Sequence, residues 1–129
     1  LISGRGSNMS ALIEAARDEN YPAQIDLVVS NRPDAAGLQR AADVGIATAV
    51  VDHTRYRKDR EAFERALQDV LLQHRIEIVC LAGFMRLLTA WFVGQWPNRM
   101  LNIHPALLPA FKGLDTHRRA IEADVTEHG

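Results

Sequence analysis

The sequence has a single cysteine, Cys80, in 129 residues and can close no internal disulfide. That argues against a small disulfide-stapled secreted scaffold and points to a reducing, cytoplasmic setting. Charge of one sign is also missing: 15 Lys and Arg against 16 Asp and Glu leave a net charge of −1. With no surplus of cations to displace counterions from a nucleic-acid backbone, the composition argues against a general DNA or RNA binder. The chain contains no apolar run long enough to span a bilayer, and its first residues lack the pattern of a signal peptide, so a membrane role is not expected. Repeats, low-complexity segments and linkers are absent as well, and residues 1–129 read as one domain. What remains, 47% hydrophobic and 24% charged, is the composition of an ordinary globular domain.

The chain opens on Leu1-Ile2-Ser3-Gly4 without a methionine and stops at Glu127-His128-Gly129 without a closing element. Leu1-Ile2 reads as the last part of a first strand, and the expectation is a fragment truncated at both ends. Met9, Leu12, Ile13 and Ala16 then recur at helical spacing, with Ser7 or Asn8 available as the N-cap. Ile25 to Val29 predicts a strand ended by the turn residues Ser30 to Asp34, Ala35 to Val44 a helix stopped by Gly45, and Ala47 to Val51 another strand. Between Asp59 and His74, Ala62, Phe63, Ala66, Leu67, Val70 and Leu71 share one face, while Glu61, Glu64, Arg65, Gln68 and Asp69 fall on the other. Ile76 to Leu81 is a continuous apolar run, the pattern of a parallel strand buried on both faces. Thr89 can cap a short helix through Trp96, Met100 to Ile103 predicts a last strand, and a weak helix is expected around Thr116 to Ala123.

Strands and helices alternating at this spacing predict an α/β fold: an open, mainly parallel, Rossmann-like sheet with helices on both faces. In such sheets ligands collect beyond the carboxyl ends of the strands, here Ser3 to Asn8, Ser30-Asn31, Gly83 to Arg86 and Asn102 to Pro105, and three of these regions can carry chemistry. Ser3-Gly4-Arg5-Gly6-Ser7-Asn8 joins a strand to a helix, where free amides and the helix dipole favour an anion. Met9 stands where a dinucleotide fingerprint needs its third glycine, and no Gly-Lys-Ser/Thr tripeptide supports a triphosphate loop. A monophosphate cradle with Ser7 and Asn8 as donors and a plain glycine-assisted turn both remain open. In Asn102-Ile103-His104-Pro105, Asn102 and His104 are two apart on a strand and project to one side, pairing an amide donor with a titratable imidazole. That pair suits acyl-type transfer to an amine, and equally the satisfaction of backbone groups at a strand end. In Leu81-Ala82-Gly83-Phe84-Met85-Arg86 a strand opens into a glycine turn that can form the mouth for a flat heterocycle. The local pattern alone favours core packing for Phe84 and Met85 and a solvated charge for Arg86.

The other candidates read as structural. His74 and Arg75 complement the dipole at a helix end, and Cys80 reads as a small buried core residue. His53, His117 and His128 lack the spacing of a zinc site, so no metal is expected. Arg118-Arg119 reads as part of a solvated helix face.

Taken together and in order, the three segments, the last continuing as Ala106-Leu107-Leu108-Pro109, resemble the phosphoribosylglycinamide formyltransferases, a folate-dependent family of purine biosynthesis. The resemblance runs along essentially the whole chain and includes Ser30-Asn31, Gly37-Leu38, Ala41 and Gly45-Ile46-Ala47. It implies that Gly6, Ser7 and Asn8 bind the phosphate of glycinamide ribonucleotide. It implies that Met85, Arg86, Leu87 and Leu88 receive 10-formyltetrahydrofolate, with backbone groups reading the pteridine, and that Arg60, ahead of Glu61-Ala62-Phe63, contacts the same co-substrate. Asn102, also at the folate, would polarise the formyl carbonyl while His104 manages the proton as the ribonucleotide amine attacks. Donors to such a developing oxyanion are worth about 3 kcal/mol each.

The resemblance also marks departures. The family's tuning Asp lies in an Asp-x-Gly loop beyond the His-Gly at which this chain stops, so the chain alone is expected to be feebly active. Ala106 stands where the family often has Ser, and Asp115 where some members have His. The alternatives are a formyltetrahydrofolate hydrolase, a formyltransferase acting on initiator methionyl-tRNA, and a non-catalytic phosphate-binding module. Gly6-Ser7-Asn8 and the near-neutral charge favour a small phosphorylated amine over the first two, and Asn102 with His104 disfavours the third. The implied partners are small molecules, with neither nucleic acid nor membrane, and oligomeric state stays open, a homodimer included.

Overall fold

The computed structural model describes residues 1–103. His104, Ala106, Asp115 and the helix expected around Thr116 to Ala123 lie outside the described residues. In chain order the elements are α1 (Ser7–Ala16), β1 (Leu27–Ser30), α2 (Ala36–Asp43), β2 (Ala47–Val50), a 3₁₀ turn (His53–Tyr56), α3 (Arg60–Gln73), β3 (Val79–Leu81), α4 (Ala90–Gly94) and β4 (Met100–Asn102).

The strands pair in parallel, β1 with β2 and β3 with β4. The leading segment joins these pairs into one sheet. Ile2 bridges Ser30 and donates its N–H to the Val29 carbonyl at 2.9 Å, while on its other side the Leu1 carbonyl accepts from the Ala82 N–H at 2.9 Å. The lanes therefore run β2, β1, Leu1–Ser3, β3, β4, with the earliest residues in the middle.

Alternation along β1 separates two cores. Val28 packs with Ile2, Met9, Ile13, Ala35 and Ala41 under α1 and α2. Val29, its neighbour in sequence, faces the other way, into Val51, Phe63, Leu67, Leu71, Val79, Phe92 and Trp96 under α3 and α4. Helices thus cover both faces, as the alternating pattern predicts.

Caps explain the helix boundaries. The Asp59 carboxylate accepts the Ala62 N–H at 3.0 Å to start α3, and Thr89 Oγ1 accepts from the Phe92 N–H at 3.4 Å to start α4. His74 closes α3 with its Nδ1 3.0 Å from the Val70 carbonyl oxygen. Gly45 follows α2 at φ +80°, a left-handed position that ends a helix without steric cost.

Four local expectations need correction. Neither Ser7 nor Asn8 caps α1: Gly6, at φ 74°, is the N-cap, and both side chains stand inside the first turn. The apolar run 76–81 is not a strand buried on both faces. Only Val79–Leu81 pairs with β4, and Ile78, in the cleft beside Leu1, is 52% exposed. Cys80, on the same cleft, is half-buried rather than enclosed in the core. Glu64 does not belong to the solvated face of α3, being 1% exposed because α3 turns that carboxylate onto Thr89.

Candidate functional site

The turn that follows the central lane is shaped by glycine. Gly6 holds a left-handed φ of 74°, and the Gly4 carbonyl accepts the Gly37 N–H from the first turn of α2 at 3.0 Å. The turn and α2 approach so closely that a Cβ on Gly37 would sit 2.5 Å from Ile2 Cδ1 and 3.2 Å from Gly6 Cα. The first bond within α1 runs from the Ser10 N–H to the Gly6 carbonyl, so the N–H groups of Ser7, Asn8 and Met9 have no partner inside the helix. Ser7 and Asn8 are exposed and the first turn carries no acidic side chain, leaving the positive end of the dipole available. An anion of phosphate size fits these donors.

Beyond β3 the chain turns at Gly83, φ +77°, into Phe84 to Leu88. Phe84 and Leu88 are half-buried and pack against the core beneath α3 and α4. Met85 and Leu87 do not pack there: they are 75% and 79% exposed, against the local expectation of a core Met85. Arg86 is half-buried rather than fully solvated. Exposed apolar side chains next to a partly sheltered guanidinium suit a flat, apolar ring system carrying polar edges.

Two buried polar anchors hold this loop. At its start the Met85 N–H donates to Ser3 Oγ at 2.8 Å, and Ser3 Oγ donates to Asn31 Oδ1 at 2.5 Å. At its end the Glu64 carboxylate accepts the Thr89 N–H at 2.7 Å and, through its other oxygen, the Thr89 hydroxyl. From sequence, Ser3 and Asn31 stand at strand ends where ligands gather and Glu64 on the polar face of its helix, with none of these contacts foreseen. No local signal marks these partners, because each lies 25 or more residues away in the chain.

Asn102 is the last residue of β4, exposed and paired in register with Leu81. Since β4 lies beside β3, and β3 beside Leu1–Ser3, the strand ends that carry Gly6-Ser7-Asn8, Met85 to Leu88 and Asn102 are neighbours along one edge of the sheet. Arg60 opens α3 and is exposed, its charge at the helix N-terminus offset by the capping Asp59 carboxylate. It stands one turn before Glu64, which reaches Thr89 at the far end of the 83–88 loop. His104 is outside the described residues. A cleft of about 440 Å³ lies at the opposite edge, lined by Leu1, Ile2 and residues 21–29 and 75–80 where the chain enters β1 and β3, and none of the described candidate residues lines it.

The chain is similar in sequence and fold to known proteins. A formyl transferase family model matches residues 1–129. The human trifunctional purine biosynthetic protein adenosine-3 is 52% identical over the whole chain, which covers 13% of that protein. The Escherichia coli phosphoribosylglycinamide formyltransferase is 44% identical over the whole chain, which covers 60% of it. The crystal structure of the Brucella melitensis phosphoribosylglycinamide formyltransferase superposes with a TM-score of 0.92 at 46% identity, over 99% of this chain and 66% of that one. The chain thus spans between about an eighth and two thirds of the length of these relatives. Along all of its own length, with the fold of those enzymes, it belongs to the formyl transferase family.

Proposed function

We propose that this chain is part of a cytoplasmic phosphoribosylglycinamide formyltransferase, with residues 1–129 belonging to a single catalytic domain. The observation that carries this reading is the convergence of an anion cradle, an apolar mouth and the Asn102 amide on three adjacent strand ends. The phosphate of glycinamide ribonucleotide binds at Gly6, Ser7 and Asn8, against the free amides of the first turn of α1 and the Ser7 and Asn8 side chains. Met85, Arg86, Leu87 and Leu88, with Arg60, receive 10-formyltetrahydrofolate, which supplies the formyl group and is consumed as a co-substrate.

The residues of the chain then have distinct tasks. The two loops hold amine and formyl carbon together, and such positioning is a large part of the rate in a two-substrate transfer. The Asn102 side-chain N–H donates to the formyl oxygen as it gains negative charge, a contact worth about 3 kcal/mol in the barrier. His104, two residues on in sequence, takes the proton that the amine must lose as it bonds the formyl carbon, and that proton passes to the folate nitrogen as the formyl C–N bond breaks and tetrahydrofolate leaves, a role for which an imidazole is suited near neutral pH. No metal enters this reading.

Product mass spectrometry on the full-length protein tests it, with 10-formyltetrahydrofolate supplied with and without glycinamide ribonucleotide. A formylated amine formed only with both substrates supports the transferase. Free formate released whether or not the amine is present replaces it with a hydrolase. His104→Ala should lower turnover about a hundredfold or more, whereas a pure binding module would be indifferent to the change.

A further inference from the structure

A chain of side-chain hydrogen bonds crosses the carboxyl edge of the sheet at right angles to the strands. It starts at the Met85 N–H, passes to Ser3 Oγ at 2.8 Å and to Asn31 Oδ1 at 2.5 Å, and continues from Asn31 Nδ2 to His53 Nδ1 at 3.0 Å. Its members come from the loop after β3, the central lane, the end of β1 and the turn after β2. Ser3 and Asn31 are 4% and 3% exposed, so water cannot replace a lost partner at either.

The Met85 N–H donates to Ser3 Oγ, whose own hydrogen goes to Asn31 Oδ1, and this leaves Asn31 Nδ2 facing His53. His53 Nδ1 lies 3.0 Å from Asn31 Nδ2 and 3.1 Å from the Asn31 carbonyl oxygen. The ring therefore holds Asn31 in either tautomer, accepting from Nδ2 when Nδ1 carries no hydrogen and donating to the carbonyl when it does. Asn31 links the two ends, an imidazole at one side of the sheet and a loop amide at the other.

The geometry points to Ser3, Asn31 and His53 as positioning residues for the formyl-donor loop, touching no substrate themselves and setting the height of the Met85 backbone above the sheet. The inference rests on the reading that residues 85–88 receive the formyl donor. Ser3 immediately precedes the Gly4–Asn8 turn, so the same hydroxyl abuts the phosphate side, but only the donor loop hangs from it by a side-chain bond.

The test compares His53→Ala with His53→Asn in the full-length enzyme, because an Asn amide oxygen can stand near the position of Nδ1 and accept from Asn31. In His53→Ala the KM for 10-formyltetrahydrofolate should rise about fivefold, with kcat and the KM for glycinamide ribonucleotide within about twofold of the parent. His53→Asn should restore most of the loss. Ser3→Ala should exceed His53→Ala in the same direction; if it does not fold, the His53 pair decides alone. Amide hydrogen exchange at Met85 reads the tie without any substrate and should quicken in His53→Ala and recover in His53→Asn. Equal rises in both KM values, or Met85 exchange unchanged in His53→Ala, would overturn the relay. A parent enzyme that transfers no formyl group would overturn the donor-loop reading instead, with the exchange measurement still judging the tie.

Discussion

The two loops that face each other across the candidate site are held by opposite means. The Gly4–Asn8 turn is fixed by backbone packing: a left-handed Gly6, a carbonyl bonded to the Gly37 N–H, and a contact with α2 so close that side chains are excluded from it. The Gly83–Leu88 loop is fixed by side chains, with Ser3 at its start and Glu64 just past its end. The first design suits a small, highly charged group of constant shape, which backbone N–H groups can bind at short range. The second leaves Met85 and Leu87 free to cover a larger apolar surface. Its shape can be tuned from a distance, through residues that never meet the ligand.

The comparison breaks most severely where a side chain is forced into the backbone-held turn. Gly6→Ala adds a Cβ that would lie 2.9 Å from Met9 Cε and 3.0 Å from Gly37 Cα, at a φ of 74° that L-residues disfavour. The left-handed conformation and the overpacking together should cost about 3 kcal/mol. The KM for glycinamide ribonucleotide should rise sharply while the KM for the formyl donor changes little. Thermal unfolding and steady-state kinetics of the same variant check both halves. An unchanged phosphate-side KM would show that the turn does not need its backbone geometry.

A smaller effect is expected on the other side. Glu64→Gln preserves shape but replaces one carboxylate oxygen with an N–H group, leaving one of the two Thr89 donors without an acceptor. An unpaired buried donor of this kind costs about 2 kcal/mol. The unfolding midpoint should fall and the donor KM should rise, with the phosphate-side KM untouched. A midpoint equal to that of the parent would mean that the loop end is held by the packing of Phe84 and Leu88 rather than by the carboxylate.

The same contrast explains what the sequence made legible. The glycine turn could be read because its cause is local: Gly4, Gly6 and the amphipathic helix that follows are contiguous. α3 was equally plain from Phe63, Leu67 and Leu71 at helical spacing behind the capping Asp59. The anchors of the donor loop could not be read, since nothing near Ser3 announces Met85 and nothing near Glu64 announces Thr89. Charge alone assigns Glu64 to the solvated face: at about 100° per residue it falls beside Leu71, at the border of the apolar stripe, where Thr89 meets it. The run 76–81 misled for a related reason, since apolar composition cannot reveal that β4 offers partners to just Val79, Cys80 and Leu81. Asn102 was placed at a strand end by its motif, and the structure adds that this end adjoins the Gly83–Leu88 loop.

The smallest expected effect concerns the turn that carries His53. Asp52 accepts hydrogen bonds from the Thr54 hydroxyl at 2.7 Å and the Thr54 N–H at 3.0 Å, and these hold its carboxyl below the ordinary carboxylate pKa. A carboxyl whose folded pKa is depressed stabilises the protein above its unfolded pKa and loses that contribution as pH falls through the folded value. Parent and Asp52→Asn should therefore differ in thermal midpoint at neutral pH, and the difference should close only in acid, below the usual carboxylate range. The backbone-held turn gives no matching signal, because the groups that fix Gly4–Asn8 are carbonyls, amides and the Met9 side chain, none of which titrates. Acid titration followed by exchange at individual amides should thus loosen His53 and its neighbours while the Gly37 and Ser10 N–H groups, bonded to the Gly4 and Gly6 carbonyls, stay protected. Simultaneous loosening of both turns would mean that the two sides of the site share one support rather than two.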